Sequence, residues 1–417
     1  MFHHPGVLPH SLRPAAYAAA DVFADEQQRL LSSAWHWVCP LRDLARAGDQ
    51  VAVQIAGAPI VVRRDDDGIK GFVNVCAHRH CQIVRPGCSH AERLRCPYHG
   101  WEYGPDGRLA RLPDGGSFAG LDARSIGLVP VRVDVAGPLV FANLETSAPP
   151  FLTSLGGLQD EFQRFFGHHR VVGVWSTEHD VNWKVIVENA VESYHVPLLH
   201  PSTFEDFRPP ELHDHTLAEG FTRYLDEKPW ETRPRDLAAR FLTWALLPAP
   251  SYRRFTQAHV FPSLLLYYGE LISTLIAVVP LTATRTRHVA VSLLPDSLRS
   301  PALRPLQALF GRLFARVGAG ILREDMAAWP AIQRGLAASP FPGVLSCREE
   351  RVHAFQEWVA KRVPSANVVD AAPLGTMAVS PRAVSPRAAA GLPILPGVRV
   401  AADVVRESTG ANRSGLV

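Results

Sequence analysis

The sequence predicts an α+β protein of two domains: a small antiparallel β domain first, then an antiparallel sheet carrying long helices. Three observations predict it. From Gln50 the chain runs in short apolar segments, Val51-Ala52-Val53-Gln54-Ile55, Pro59-Ile60-Val61-Val62 and Gly71-Phe72-Val73-Asn74-Val75, broken by turn residues such as Asp65-Asp66-Asp67-Gly68. Beyond Pro149-Pro150 the pattern lengthens into helical stretches with strands between them. Finally, each half of the chain carries its own group of metal-binding side chains.

The elements follow in order. A short amphipathic helix is expected over 25–37, within an N-terminal segment (1–40) that packs on the second domain. The β domain fills 41–150, and a further domain fills 151–362. In that domain helices are expected over 151–166, 183–196, 301–336 and 347–362, with strands over 170–178, 261–279 and 288–294. After Trp358 no aromatic residue appears. The imperfect repeat Ala378-Val379-Ser380-Pro381-Arg382 and Ala383-Val384-Ser385-Pro386-Arg387 cannot supply a core, so 363–417 reads as a disordered tail.

Composition narrows the function. At 417 residues the chain is long for one domain and comfortable for two. A net charge of +3 with no dominating basic run gives no case for nucleic acid. Six cysteines are too few for a disulfide framework and fit a reducing cytoplasm. No signal peptide is expected at Met1-Phe2-His3-His4. The apolar stretch near 271–281 is too short for a bilayer, so the reading is a soluble cytoplasmic protein without a membrane partner.

In the first half, Cys76-Ala77-His78 and Cys96-Pro97-Tyr98-His99 form two mixed ligand pairs. Two thiolates and two imidazoles can hold a 2Fe–2S cluster, with Cys76 and Cys96 on one iron and His78 and His99 on the other. Neutral imidazoles lower the negative charge of the cluster and raise its potential. The same residue types suit tetrahedral zinc, but zinc fingers usually pair like with like in sequence. Apolar Val73, Val75, Tyr98 and Trp101 suit a cluster between buried loops. His80, His90, Cys81 and Cys88 are read as non-ligands.

In the second half, Glu188, Glu192 and His195 fall on one face if 183–196 is a helix. His200 would point elsewhere on a regular helix, but Pro197 should end or kink it and free His200 to swing back. Two histidines need a carboxylate to complete the 2-His-1-carboxylate triad of non-haem Fe(II) sites. Leu322-Arg323-Glu324-Asp325-Met326 offers two.

Val73-Asn74-Val75-Cys76-Ala77-His78-Arg79 with Cys96-Pro97-Tyr98-His99-Gly100-Trp101 resembles the Rieske domain of ring-hydroxylating oxygenases, and both metal motifs occur in that family's order. The resemblance covers roughly 15–362 and implies a helix-grip-like catalytic domain after the Rieske domain. It assigns the carboxylate to Asp325, with Glu324 as runner-up, and implies that Asn189 supports the iron shell. It places Glu192 as a bridge between His195 and the cluster His99 of a neighbouring subunit in a homotrimer. The family has a small residue where His80 stands. Cys81 matches one half of the disulfide of respiratory Rieske proteins, whose other half would fall at Tyr98.

The implied activity is that of a terminal oxygenase, mono- or dioxygenase. It would take electrons from a separate NAD(P)H-dependent reductase or ferredoxin, since no dinucleotide fingerprint is visible here. With O₂ it would hydroxylate or oxidatively demethylate a small organic substrate. The compact Glu188-to-His195 segment is more similar to oxygenases of small amines, ammonium compounds or natural-product intermediates than to naphthalene-type dioxygenases. Trp230, Trp244, Tyr252, Tyr267 and Tyr268 with Glu270 could line a cation pocket or simply be core, and core is preferred. The rival readings are an electron-transfer Rieske protein with a vestigial second site and a zinc-dependent hydrolase.

Overall fold

The computed structural model describes residues 2–200, 214–228, 253–269, 272–296, 302 and 304–368, all within one compact unit, Met1–Ala371. Two seven-stranded antiparallel sheets organise it. In the first, neighbours run His36–Pro40, Leu139–Asn143, Pro130–Ala136, Gly68–Val73, Ala58–Asp65, Asp49–Ile55 and Gly87–His90. Beside it a three-stranded sheet, Leu94–Arg95, Glu102–Tyr103 and Leu109–Arg111, completes the cluster region. In the second large sheet the order is His169–His179, Arg285–Pro295, Ser273–Thr282, Leu264–Gly269, Arg253–Val260, Phe221–Lys228 and Asp214–Leu217. No helix among the described residues is long and apolar enough to cross a membrane.

Several boundaries move. The first helix runs Ala20–Glu26 and continues to Leu31, because His36–Pro40 is a strand paired with Leu139–Asn143. The first sheet therefore begins before residue 41. The expected strand over 261–279 is a hairpin, Leu264–Gly269 with Ser273–Thr282. The tail starts later than 363: Val363 and Ala366 are fully buried in the core, and Arg13 N–H donates to the Ala366 carbonyl. The rest of the tail, 369–417, lies outside the described residues.

The N-terminal segment packs on the helices of the second domain. Leu12, Tyr17, Val22 and Leu30 join Trp183, Ile186, Val187, Trp329 and Phe355 in one core. At its centre Glu26 meets Lys184, both side chains 0 % exposed, and Trp183 Nε1 donates to Glu26 Oε2 at 2.8 Å. Lys184 also donates to the Ala16 carbonyl and lies over the Tyr17 ring. Such a pair contributes orientation more than net stability, but stranding one member is costly. Glu26→Ala should cost about 3–5 kcal/mol by denaturant unfolding, whereas Glu26→Leu with Lys184→Met should recover most of the loss. A Glu26→Ala variant as stable as the parent would show that Lys184 is not left stranded by the loss of Glu26.

Candidate metal centres

The two cluster loops have the same backbone form. His80 N–H donates to the Cys76 carbonyl and Gly100 N–H to the Cys96 carbonyl, each at 3.0 Å, so each loop closes four residues after its cysteine. The closing residue is left-handed in both, with φ +59° at His80 and +73° at Gly100. Glycine adopts that conformation freely and histidine does not. The small residue missing at position 80 is thus a residue whose absence costs backbone strain.

Cys76 and Cys96 are buried at 1 % and 2 % exposure. Tyr103 Oη lies 3.1 Å from Cys76 Sγ and accepts from Ala77 N–H at 3.0 Å, tying the first loop to the strand Glu102–Tyr103. Asn74 fastens the base of the loop, accepting from Ile83 and Val84 N–H and donating to the Val84 carbonyl. The rings of His78 and His99 meet at 4.6 Å, and Trp101 stacks on His78. His78 Nδ1 is buried and has no hydrogen-bond partner, which suits an imidazole whose lone pair is meant for a metal. The two thiols and two imidazoles fit a 2Fe–2S cluster. All six cysteines are free, and His90 pairs with Asp49 at 2.9 Å.

At the second site the helix Trp183–Val191 ends earlier than its sequence suggests. Glu192 is extended at φ −116°, ψ 168°, so Glu188, Glu192 and His195 do not share a helix face. Gln257 Nε2 donates to the Ala190 carbonyl, one of the terminal groups that a helix leaves unpaired. Arg351 in turn holds Gln257 Oε1 at 2.7 Å. Glu188 turns from the metal site to Tyr17 and Gln356, and burial pushes its pKa up to about 7. Pro197 starts a new turn, Val196–Leu199, rather than breaking the old one, as its fixed φ favours. His195 and His200 flank that single turn, with ring centroids 5.3 Å apart.

The donor atoms converge. His200 Nε2 lies 3.0 Å and His195 Nε2 3.4 Å from Asp325 Oδ1, and the three ligand atoms lie within 4.8 Å of one another. Asn189 Nδ2 donates to the same Oδ1 at 3.1 Å. Each imidazole has a carboxylate behind it, Glu192 on His195 Nδ1 and Glu324 on His200 Nδ1 at 2.6 Å. With Nδ1 directed at its carboxylate, each Nε2 is turned toward Asp325, the orientation that outer-shell carboxylates impose in metal sites, and a bound metal would take the place of any proton on Nε2. Burial opposes charge on His195, but Asp325 and Glu192 outweigh it and push its pKa up to about 9. Glu324, the runner-up carboxylate, thus has a partner of its own in this geometry.

Of the aromatics that could line a cation pocket or be core, the described pair divides. Tyr267 and Tyr268 are consecutive on one strand and point to opposite faces. Tyr268 packs on Phe165 and Phe166 and donates to Glu161, so it is core. Tyr267 accepts from Gln257 at 3.0 Å; burial pushes its pKa up to about 12, with Asp325 adding to the shift. Trp230, Trp244, Tyr252 and Glu270 lie outside the described residues. The sequence reading missed Gln257 and Arg351, which carry no motif; only the fold brings them to the helix end.

A mixed thiol–imidazole loop pair in one domain and a 2-His-1-carboxylate triad in the next define an iron-dependent redox protein. Residues 34–123 match the Rieske [2Fe-2S] domain and 166–365 the ring hydroxylating alpha subunit (catalytic domain). The chain belongs to the Rieske non-haem iron oxygenases, as an alpha-type terminal component. The carnitine monooxygenase oxygenase subunit of Escherichia coli K12 is 32% identical over 52% of this chain and 59% of its own length. The glycine betaine monooxygenase oxygenase subunit of Chromohalobacter salexigens is 33% identical over 46% of this chain and 43% of its own. The anthranilate 1,2-dioxygenase large subunit of Burkholderia cepacia is 30% identical over 46% and 48%. The matches thus span about half the length of these curated relatives. Among solved structures, a quaternary ammonium Rieske monooxygenase superposes with TM-score 0.70 at 22% identity, covering 85% of this chain and 95% of that one. A naphthalene 1,2-dioxygenase superposes with TM-score 0.67 at 20% identity, covering 86% and 95%. The Rieske domain implies a 2Fe–2S cluster and the catalytic domain a mononuclear Fe(II).

The strain at position 80 is testable. His80→Gly should stabilise the chain by about 1 kcal/mol, seen as a melting temperature a few degrees higher, with the cluster absorption unchanged. A lower melting temperature would show that the histidine ring is doing something stabilising in the loop.

Proposed function

We propose that the chain is the terminal oxygenase of a system that draws electrons from a separate NAD(P)H-dependent reductase or ferredoxin. It uses O₂ to hydroxylate, or oxidatively demethylate, a small organic substrate. The supporting observation is that both ligand sets are complete: Cys76, His78, Cys96 and His99 for the cluster, and His195, His200 and Asp325 for Fe(II). Bound there, the two centres supply one-electron transfer and O₂ chemistry. The chain's residues do the rest. Glu192 and Glu324 hold the Nδ1 protons of the two iron histidines, and Asn189 steadies Asp325. A triad of three protein ligands leaves coordination positions open to small molecules. A complete triad speaks against a vestigial second site, and the mixed cluster loops against structural zinc.

Substrates with a small cationic or amino group fit best with the names of the relatives, which include carnitine, glycine betaine and anthranilate oxygenases. A homotrimer is part of the proposal. Tyr194 and Leu198 beside the iron site are 60% and 83% exposed, and Tyr98 at the cluster tip is 54% exposed. A neighbouring subunit covering both faces would bring Glu192 and His195 of one chain to His99 of the next.

Purified anaerobically, the protein should be red-brown and contain about three irons per chain, against about two for a bare Rieske protein. O₂ uptake with a surrogate reductase, screened over trimethylammonium acids and aminobenzoates, should rise with at least one substrate; colourless protein holding zinc would sink the reading. Asp325→Ala should abolish turnover and empty the mononuclear site while sparing the cluster spectrum. Glu324→Ala should weaken Fe(II) binding about 10–100-fold without abolishing it. If the two variants swap these phenotypes, Glu324 is the ligand. Glu192→Gln should keep both centres and the trimer but slow cluster reoxidation with substrate and O₂ in stopped flow. A wild-type rate there would overturn the bridging role.

A further inference from the structure

The inner face of the small sheet holds the cluster loops; its outer face carries a row of arginines. Trp101 stacks on His78 and Tyr103 reaches Cys76, so strand alternation turns the intervening Glu102 to the other side. There Glu102 stands between Arg95 on one neighbouring strand and Arg111 on the other. Arg111 Nη1 lies 3.2 Å and Arg95 Nε 3.8 Å from Glu102 Oε1, and Arg93 Nη1 lies 3.2 Å from Oε2. The three arginine side chains are 61%, 64% and 66% exposed, but that of Glu102 only 7%. One sheltered carboxylate pins three guanidinium groups and leaves the patch positive. From Arg79 to Trp101 the chain has Arg79, Arg85, Arg93 and Arg95 against Glu92 alone, and Arg79 lies over the exposed Tyr98 ring at the cluster tip.

We propose that this arginine row is the docking surface for an acidic electron-donor protein. The inference rests on the proposed function, since only a chain with a reducible cluster needs a donor. Fixed positive charge on the outer face of the sheet beneath the cluster loops steers an anionic partner to the domain that carries the cluster. The step is a single electron: the reduced donor is oxidised, the cluster is reduced, and no bond or proton moves.

A reduced plant-type 2Fe–2S ferredoxin is the probe, an acidic donor whose potential, about −400 mV, lies below the Rieske range. It is mixed with the full-length, cluster-loaded oxygenase in stopped flow. Arg93→Gln with Arg111→Gln leaves Arg95 on Glu102 and should lower the second-order reduction rate about 5- to 10-fold at low salt, with a shallower salt dependence. Arg93→Lys with Arg111→Lys keeps the charge and should keep the rate. Reduced methyl viologen, a cation, should reduce the Gln variant no more slowly than the parent. An unchanged ferredoxin rate in the Gln variant, a wild-type rate insensitive to salt, or equal slowing with methyl viologen would each overturn the proposal. So would a change of oligomeric mass by light scattering in the Gln variant, which would assign the row to a second copy of the chain. Should the Gln variant lose its cluster, the Lys variant and the wild-type salt dependence decide. Failure of the wider reading looks different: protein without a cluster spectrum never reaches the rate measurement.

Discussion

The Glu192 side chain has more than one task at the iron site, and its placement is set from across the fold. One oxygen accepts from Tyr194 and His195 N–H, fixing the start of the turn Val196–Leu199. The other holds His195 Nδ1. For the carboxylate to sit there the preceding helix must already have stopped, and the stop is imposed from outside by Gln257 on the Ala190 carbonyl, with Arg351 behind it. Arg351 is 3 % exposed and also reaches Thr222 and the Gln257 carbonyl. The aim of two imidazoles therefore rests on a buried polar chain from the helix Glu350–Arg362 through the strand Arg253–Val260. Buried chains of this kind rigidify when every member is paired.

That dependence explains which parts of the site were legible in the sequence. The candidate cluster residues stood out in the sequence because both loops are local: each carries its own cysteine, histidine and closing hydrogen bond within a few residues. Asp325 came through resemblance, since Glu324-Asp325 is a charged pair on a long helix with no local reason to prefer either residue. The carboxylate behind His200 and the early helix stop were not legible, because both partners arrive from distant sequence. Val191 to His195 still looks helical by periodicity, and a side-chain cap supplied across the fold leaves no trace in a local pattern.

The fold shows the same division. Short strands separated by turns announced the first domain, and the missed strand His36–Pro40 is joined to its sheet only by pairing with residues a hundred positions later. Tyr267 and Tyr268 illustrate the limit of composition: core was preferred for both, and a period of two puts Tyr268 there but turns Tyr267 to the metal side.

The two metal sites consequently differ in how they tolerate change. The cluster loops close on themselves and need the rest of the chain mainly for the sheet beneath them, through Tyr103 and Asn74. The iron site draws on the helix Trp183–Val191, the turn Val196–Leu199 and the helix Arg304–Ala338, and it inherits every error in their packing. Its foundation is the N-terminal segment, whose Glu26 meets Lys184 one residue into the first of those helices. A perturbation at residue 26 can therefore travel along the helix Trp183–Val191 to Asn189, which holds Asp325. Loss of iron with retention of the cluster is accordingly the failure this architecture favours when packing is loosened.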